Sequence, residues 1–157
     1  MTDDIFEQLP LLRDLTGEQI QLLRPLFVPY ECYTGTVLFE QGDPAEYIYL
    51  VVQGEVVIRY KPEDGAVITI TRVKSGGVVG WSAALGNRMY TSAASCSDST
   101  ELVRVSARDL RRLCEQCPET GILILDRLAS VIAERLHHTH AQIMELLIQG
   151  SGIEYQI

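Results

Sequence analysis

Cys114 and Cys117 stand three positions apart, the spacing at which two thiolates share a metal ion or exchange a disulfide. A four-ligand zinc site needs two more ligands close by, and Cys32 and Cys96 lie far off in sequence, within predicted strands. Cys114 therefore reads as a small apolar packing residue and Cys117 as a helix start. His137, His138 and His140 form a second cluster, with His137 and His140 on one helical face and Glu134 three residues before His137. One such pair is too little for a metal centre, although these imidazoles would gain charge near pH ~6. Gly76-Gly77-Val78-Val79-Gly80 is glycine-rich but lacks the Lys-Ser/Thr of a phosphate loop. There is no nucleophile elbow, dinucleotide fingerprint or zinc-protease helix. The expectation is a non-enzyme with no catalytic residue, metal or cofactor.

Binding chemistry is concentrated after Gly80, in the run GWSAALGNRMYTSAAS. Arg88 supplies a guanidinium, and Ser82, Thr91 and Ser92 supply hydroxyls, which together can hold an anion. Trp81 and Tyr90 supply aromatic walls of the kind that line small-molecule pockets. The plainer reading makes Arg88 a solvated loop residue and Thr91-Ser92 the start of a strand.

The elements that must position this run can be read from periodicity. Residues 2–27 carry apolar side chains at helical spacing, broken by Pro10 and Thr16-Gly17 into two or three short helices. Thr16 and Gln19 have the spacing of a capping box. From Tyr30 to Val105 the pattern changes to short strands, at Val37–Phe39, Tyr47–Val52, Glu55–Tyr60, Val67–Val73 and Leu102–Val105. Gly42-Asp43-Pro44, Gln53-Gly54, Pro62–Gly65 and Ser75–Gly77 separate them as turns. Helical spacing returns with Ser106 as N-cap of Ala107–Cys114, and Pro118 opens a last helix over about residues 119–148, closed by Gly150 and Gly152. The expected organisation is one domain over 1–157: helices in 1–29, a β-roll in 30–105 and helices in 106–149. Many short antiparallel strands at this spacing suggest a sandwich or roll.

The last helix bears Ile122, Leu125, Ala129, Ile132, Leu136, Thr139, Ile143 and Leu146 at alternating spacings of three and four, a coiled-coil seam with one polar break. Up to Leu136 the apolar arc also includes Ile124, Leu128 and Val131, enough to cover both a core and a partner. Homodimerisation through Leu125, Ala129, Ile132, Leu136, Ile143 and Leu146 is the expectation; the alternative is a helix folded back on its own core.

Composition bounds the partners. The chain has 157 residues, 46% hydrophobic and 22% charged, with a net charge of −8. That balance disfavours nucleic acid, which needs clustered cations to neutralise phosphates. The densest basic run, Arg104, Arg108, Arg111 and Arg112, is mixed with Glu101 and Asp109 and reads as a solvated helix face. No apolar run reaches the roughly 18 residues of a membrane span, and the acidic N-terminus is unlike a signal peptide. A cytoplasmic protein with four free thiols is expected.

Gly35, Gly42 and Gly54, the strand Tyr47–Val52 and Gly80 together resemble the cyclic-nucleotide-binding domain family, over nearly the whole chain. The resemblance implies a mainly β fold with flanking helices: an antiparallel β-roll or jelly roll with a long C-terminal helix. It also implies a pocket formed by Gly80, Trp81, Ser82, Arg88, Tyr90, Thr91 and Ser92. In the family a Glu follows the Gly and bonds a ribose hydroxyl, and an Arg nine or ten residues on pairs with the cyclic phosphate. Here Trp81 and Tyr90 occupy those places, and each lost charge-assisted bond forfeits about 1.5–3 kcal/mol. The two aromatics either fill the cavity or line it for a less charged ligand. Relatives that regulate transcription carry a DNA-binding module beyond the last helix, for which the nine residues after Ile148 leave no room. The resemblance thus implies a stand-alone regulatory sensor; the alternative is a ligand-free dimeric scaffold with a protein partner.

Overall fold

The computed structural model describes residues 6–83, 86 and 88–151, with side chains described except at 135–143, 146 and 148–151. A helical turn at 6–8, a 3-10 turn at Pro10–Leu12 and helix α1 (Gly17–Leu23) precede eight strands. These are β1 (Val28–Cys32), β2 (Val37–Phe39), β3 (Tyr47–Gln53), β4 (Val56–Tyr60), β5 (Ile68–Val73), β6 (Val78–Val79), β7 (Ala93–Cys96) and β8 (Thr100–Ser106). Helices α2 (Ala107–Gln116) and α3 (Pro118–Ser151) follow. The caps behave as the side-chain chemistry requires. Thr16 accepts from the Gln19 N–H while Gln19 accepts from the Thr16 N–H, and the Ser106 hydroxyl accepts from the Asp109 N–H.

Two four-stranded antiparallel sheets, ordered β1-β8-β3-β6 and β2-β7-β4-β5, form the roll. Alternation along β3 shows why it is apolar throughout. Tyr49 and Val51 face the other sheet, against Phe39, Val56 and Ile58, whereas Ile48, Leu50 and Val52 face the helices, against Leu12, Leu23, Phe27, Leu110 and Ile124. Arg127 on α3 donates to the Leu11 and Arg13 carbonyls, fixing α3 to the N-terminal turn. At Gly121 a Cβ would lie 2.7 Å from Cys114 Cα and 2.8 Å from its Sγ, so α2 and α3 meet in near backbone contact.

Several expectations change. Cys32 and Cys96 are not free thiols: they form a disulfide, 64 residues apart, that ties the end of β1 in one sheet to the end of β7 in the other. Sequence distance hides the pairing because β1 and β7 belong to facing sheets; the Gly35 N–H donates to Cys96 O at 2.7 Å and the Cys96 N–H to Thr36 O at 2.8 Å, closing that end of the roll. Cys114 and Cys117 are free and half-buried, as expected. Gly150 does not stop α3, which continues to Ser151; one helical glycine weakens a helix by about 1 kcal/mol and does not end it. Gly152 and the side chains of His137, His138 and His140 lie outside the described residues. Arg108, Arg111 and Arg112 do line a solvated helix face, but Arg104 sits on β8 between the rings of Tyr30 and Tyr47, at 4.6 and 4.2 Å.

Opening a closed loop of this length should lower stability. Reduction, or Cys32→Ser with Cys96→Ser, is expected to remove about 2–4 kcal/mol in thermal or urea unfolding. Alkylation of the unreduced, denatured chain should label Cys114 and Cys117 alone.

Candidate functional site

The site is built on Gly80. Its φ of +79° is one that side-chain-bearing residues rarely adopt, and a Cβ there would lie 2.9 Å from Tyr47 O and 3.2 Å from Tyr90 Cε1. Glycine thus lets the segment after β6 approach both β3 and Tyr90. Trp81–Ala83 then turn, with the Ala83 N–H donating to Gly80 O. At the far end the acidic turn holds the segment: the Gly42 N–H donates to Tyr90 O, the Tyr90 N–H to Asp43 O and the Ala45 N–H to Arg88 O, each at 2.9 Å.

Tyr90 is buried and fully engaged. Its hydroxyl donates to Tyr47 O at 2.6 Å and accepts from the Tyr47 N–H at 3.0 Å, while its ring stacks on Phe39 with centroids 3.7 Å apart. Burial pushes the Tyr90 phenol up to about 12, against a partial lowering by the Tyr47 backbone. Burial also raises the Tyr49 phenol, although its hydrogen bond to Arg104 pulls the other way.

Gly80, Trp81, Ser82, Tyr90, Thr91 and Ser92 all border one cleft of about 290 Å³, which Phe39, Ile58, Tyr60 and Ile70 complete. Six of the seven residues expected in the pocket are therefore brought together. Arg88 is the exception. Its carbonyl is engaged by Ala45 and its neighbour Met89 bridges Pro44, so its side chain is left exposed and outside the lining. Among the described residues, no Asp, Glu, Lys, Arg or His borders this cleft. Ser82 and Thr91 hydroxyls face one another at 3.4 Å, a long hydrogen bond. Trp81 also packs against the helical core, so it touches both the cleft and the cluster that holds α2 and α3. Arg59 and Lys61 border a different cleft of about 460 Å³, with Val37, Glu40 and Ser95. Phe39, Ile58, Tyr60 and Ile70 went unnoticed in the sequence. Phe39 and Ile58 are buried on β2 and β4, whereas Tyr60 and Ile70 are exposed beside a bulge between Ile58 and Arg59, which the sequence does not signal.

The family model for the cyclic nucleotide-binding domain matches residues 31–117, more than half of the chain. The chain belongs to the cyclic-nucleotide-binding domain family. The cAMP-activated global transcriptional regulator CRP of Pasteurella multocida is 27% identical over 112 residues, covering 71% of this chain and 52% of that protein. The cyclic AMP receptor protein of Thermus thermophilus is 25% identical over 164 residues, covering 94% and 74%. The chain spans about half the length of several curated relatives it matches. A cyclic nucleotide-binding domain from Methylobacillus flagellatus superposes with a TM-score of 0.79 at 22% identity, covering 90% of this chain and 80% of that one. Within this cyclic-nucleotide-binding domain the roll follows the family's fold.

The Tyr90 anchor should be measurable as stability. Tyr90→Phe leaves the Tyr47 N–H without its hydroxyl partner and is expected to cost about 1–3 kcal/mol in urea unfolding. Gly80→Ala should cost a similar amount, about 1–3 kcal/mol, through its positive φ and the contact with Tyr47 O. Because the folded phenol lies near 12 and the unfolded one near 10, its contribution is complete below pH 10 and is lost as pH rises through 12. Tyr90→Phe should therefore flatten the alkaline fall in stability, leaving the part due to Tyr49.

Proposed function

We propose that this domain is a regulatory module whose family pocket does not take a cyclic phosphate in the family's manner. The observation that carries the reading is Tyr90. It stands where the resemblance places the phosphate-pairing arginine, both capacities of its hydroxyl are engaged by Tyr47, and among the described residues no cation borders the cleft. An anion moved from water into such a site would be desolvated without a counter-charge. The relatives named for activation by cyclic AMP thus share the fold of this module, and its ligand differs from theirs. With a net charge of −8 and no enzymatic motif, the module acts in signalling, on small molecules and proteins rather than on nucleic acid. No helix among the described residues is long and apolar enough to cross a membrane.

The module works as a homodimer through α3. Ile122 is 65% exposed and Leu125 37%, and Ala129 is exposed on the same row, an apolar strip left uncovered by the chain itself. Ile132 does not extend this strip. It continues the row Ile124–Leu128–Ile132 into the core, because residues four apart share a helical face. The side chains of Leu136, Ile143 and Leu146 lie outside the described residues. A ligand-free scaffold is the second reading, favoured by the burial of Tyr90 and the packing of Trp81 on the helical core.

Thermal unfolding with cyclic AMP, cyclic GMP and cyclic di-GMP up to millimolar should show no saturable shift. A binder at a hundredfold excess over its dissociation constant adds about 2.7 kcal/mol, so a saturable rise of several degrees would overturn the reading. Sedimentation equilibrium should give a dimer that Ile122→Glu with Leu125→Glu converts to a folded monomer; an unchanged dimer would place the interface elsewhere.

A further inference from the structure

The cleft beside Trp81 offers ring faces and hydroxyls and, among the described residues, no charge. Trp81 and Tyr60 border it, and the stacked Phe39–Tyr90 pair closes it with rings held in place by the Tyr47 bonds. Its volume of about 290 Å³ suits a ligand of one or two fused rings better than a larger one. The hydrogen-bonding groups left for a ligand are few. Tyr90 is spent on Tyr47, so specificity falls to Ser82, Thr91 and Ser92. A hydroxyl has one donor and two acceptor positions. The Ser82–Thr91 pair, joined by one bond at 3.4 Å, therefore keeps a donor and several acceptor positions open. A long bond of that kind exchanges readily for one to a ligand.

We infer that the cleft takes an uncharged, planar nitrogen heterocycle. Its faces lie along Trp81 and Tyr60, and a donor–acceptor edge meets the hydroxyls of Ser82 and Thr91. The inference rests on the reading of the pocket as unable to hold a phosphate, and adds to it the class of ligand that such a pocket does accept. Aromatic side chains bind heterocycles through their π-faces without needing charge. An anionic version of the same heterocycle loses solvation and gains no partner. Trp81 also touches the helical core, so a ring laid against it meets the side chain through which the cleft contacts the packing around α2 and α3.

The chain has a single tryptophan, so its fluorescence reports on this cleft directly. The probes are adenine, hypoxanthine and adenosine, each titrated to millimolar beside cyclic AMP and AMP. Saturable quenching by at least one uncharged probe is expected, at least tenfold tighter than by either phosphate. Thr91→Val should weaken that binding about tenfold, and Arg59→Ala, in the other cleft, should leave it unchanged. If no uncharged probe quenches while the phosphates are also silent, the inference fails and the exclusion of phosphate stands. If cyclic AMP quenches as tightly as the uncharged probes, both fail. If Arg59→Ala abolishes the signal, the ligand sits in the 460 Å³ cleft and the assignment to Trp81 is wrong.

Discussion

Tyr90 reaches across to Tyr47 with one hydroxyl that both donates and accepts, and this two-point clasp fixes the segment after Gly80 against β3. The phenol is buried, so water cannot replace either bond cheaply, and its ring is held by Phe39 on one side. Everything around the clasp is arranged to permit it. Gly80 has no Cβ to obstruct Tyr47 O, and the turn Gly42–Pro44 grips the backbone of residues 88–90 on the other side. The buried ring of Tyr90 closes the base of the aromatic cleft, and among the described residues no charged side chain borders it.

The same packing relates the cleft to the helices. Trp81 contacts the core cluster shared by β3, α2 and α3, and α3 is in turn held by Arg127 on the N-terminal turn and by the close approach at Gly121. A displacement of Trp81 thus meets side chains that carry α3, whose outward row of Ile122, Leu125 and Ala129 is uncovered. Cleft and helix are joined through dense packing rather than through a chain of charged contacts. A ligand shifts such an arrangement only by binding its two forms with different affinity.

Most of the fold could be read from the chain because local chemistry and global packing agree. Thr16 and Ser106 cap helices where the spacing placed them, and Gly35, Gly42 and Gly54 all adopt positive φ at the predicted turns. The strand that Thr91-Ser92 were read as opening is β7, whereas β6 escaped notice because two valines carry little periodic signal; its pairing with β3 decides it. The Cys32–Cys96 bond was hidden for the related reason that its partners meet across facing sheets. Ile132 was misassigned because a wide apolar arc does not say which of its edges faces inward. Trp81 and Tyr90 stood out in the sequence as aromatic walls, whereas the Tyr47 clasp, a contact between residues 43 apart, left no local signal there.

Hydrogen exchange at the Tyr47 amide tests the clasp most directly, since that N–H donates to the Tyr90 hydroxyl. The amide should be protected to the same degree as its neighbours in β3, and Tyr90→Phe should abolish this protection while sparing theirs. Rapid exchange in the unaltered protein would contradict the account, because Tyr90 would then leave its seat readily and the pocket beneath it would be open.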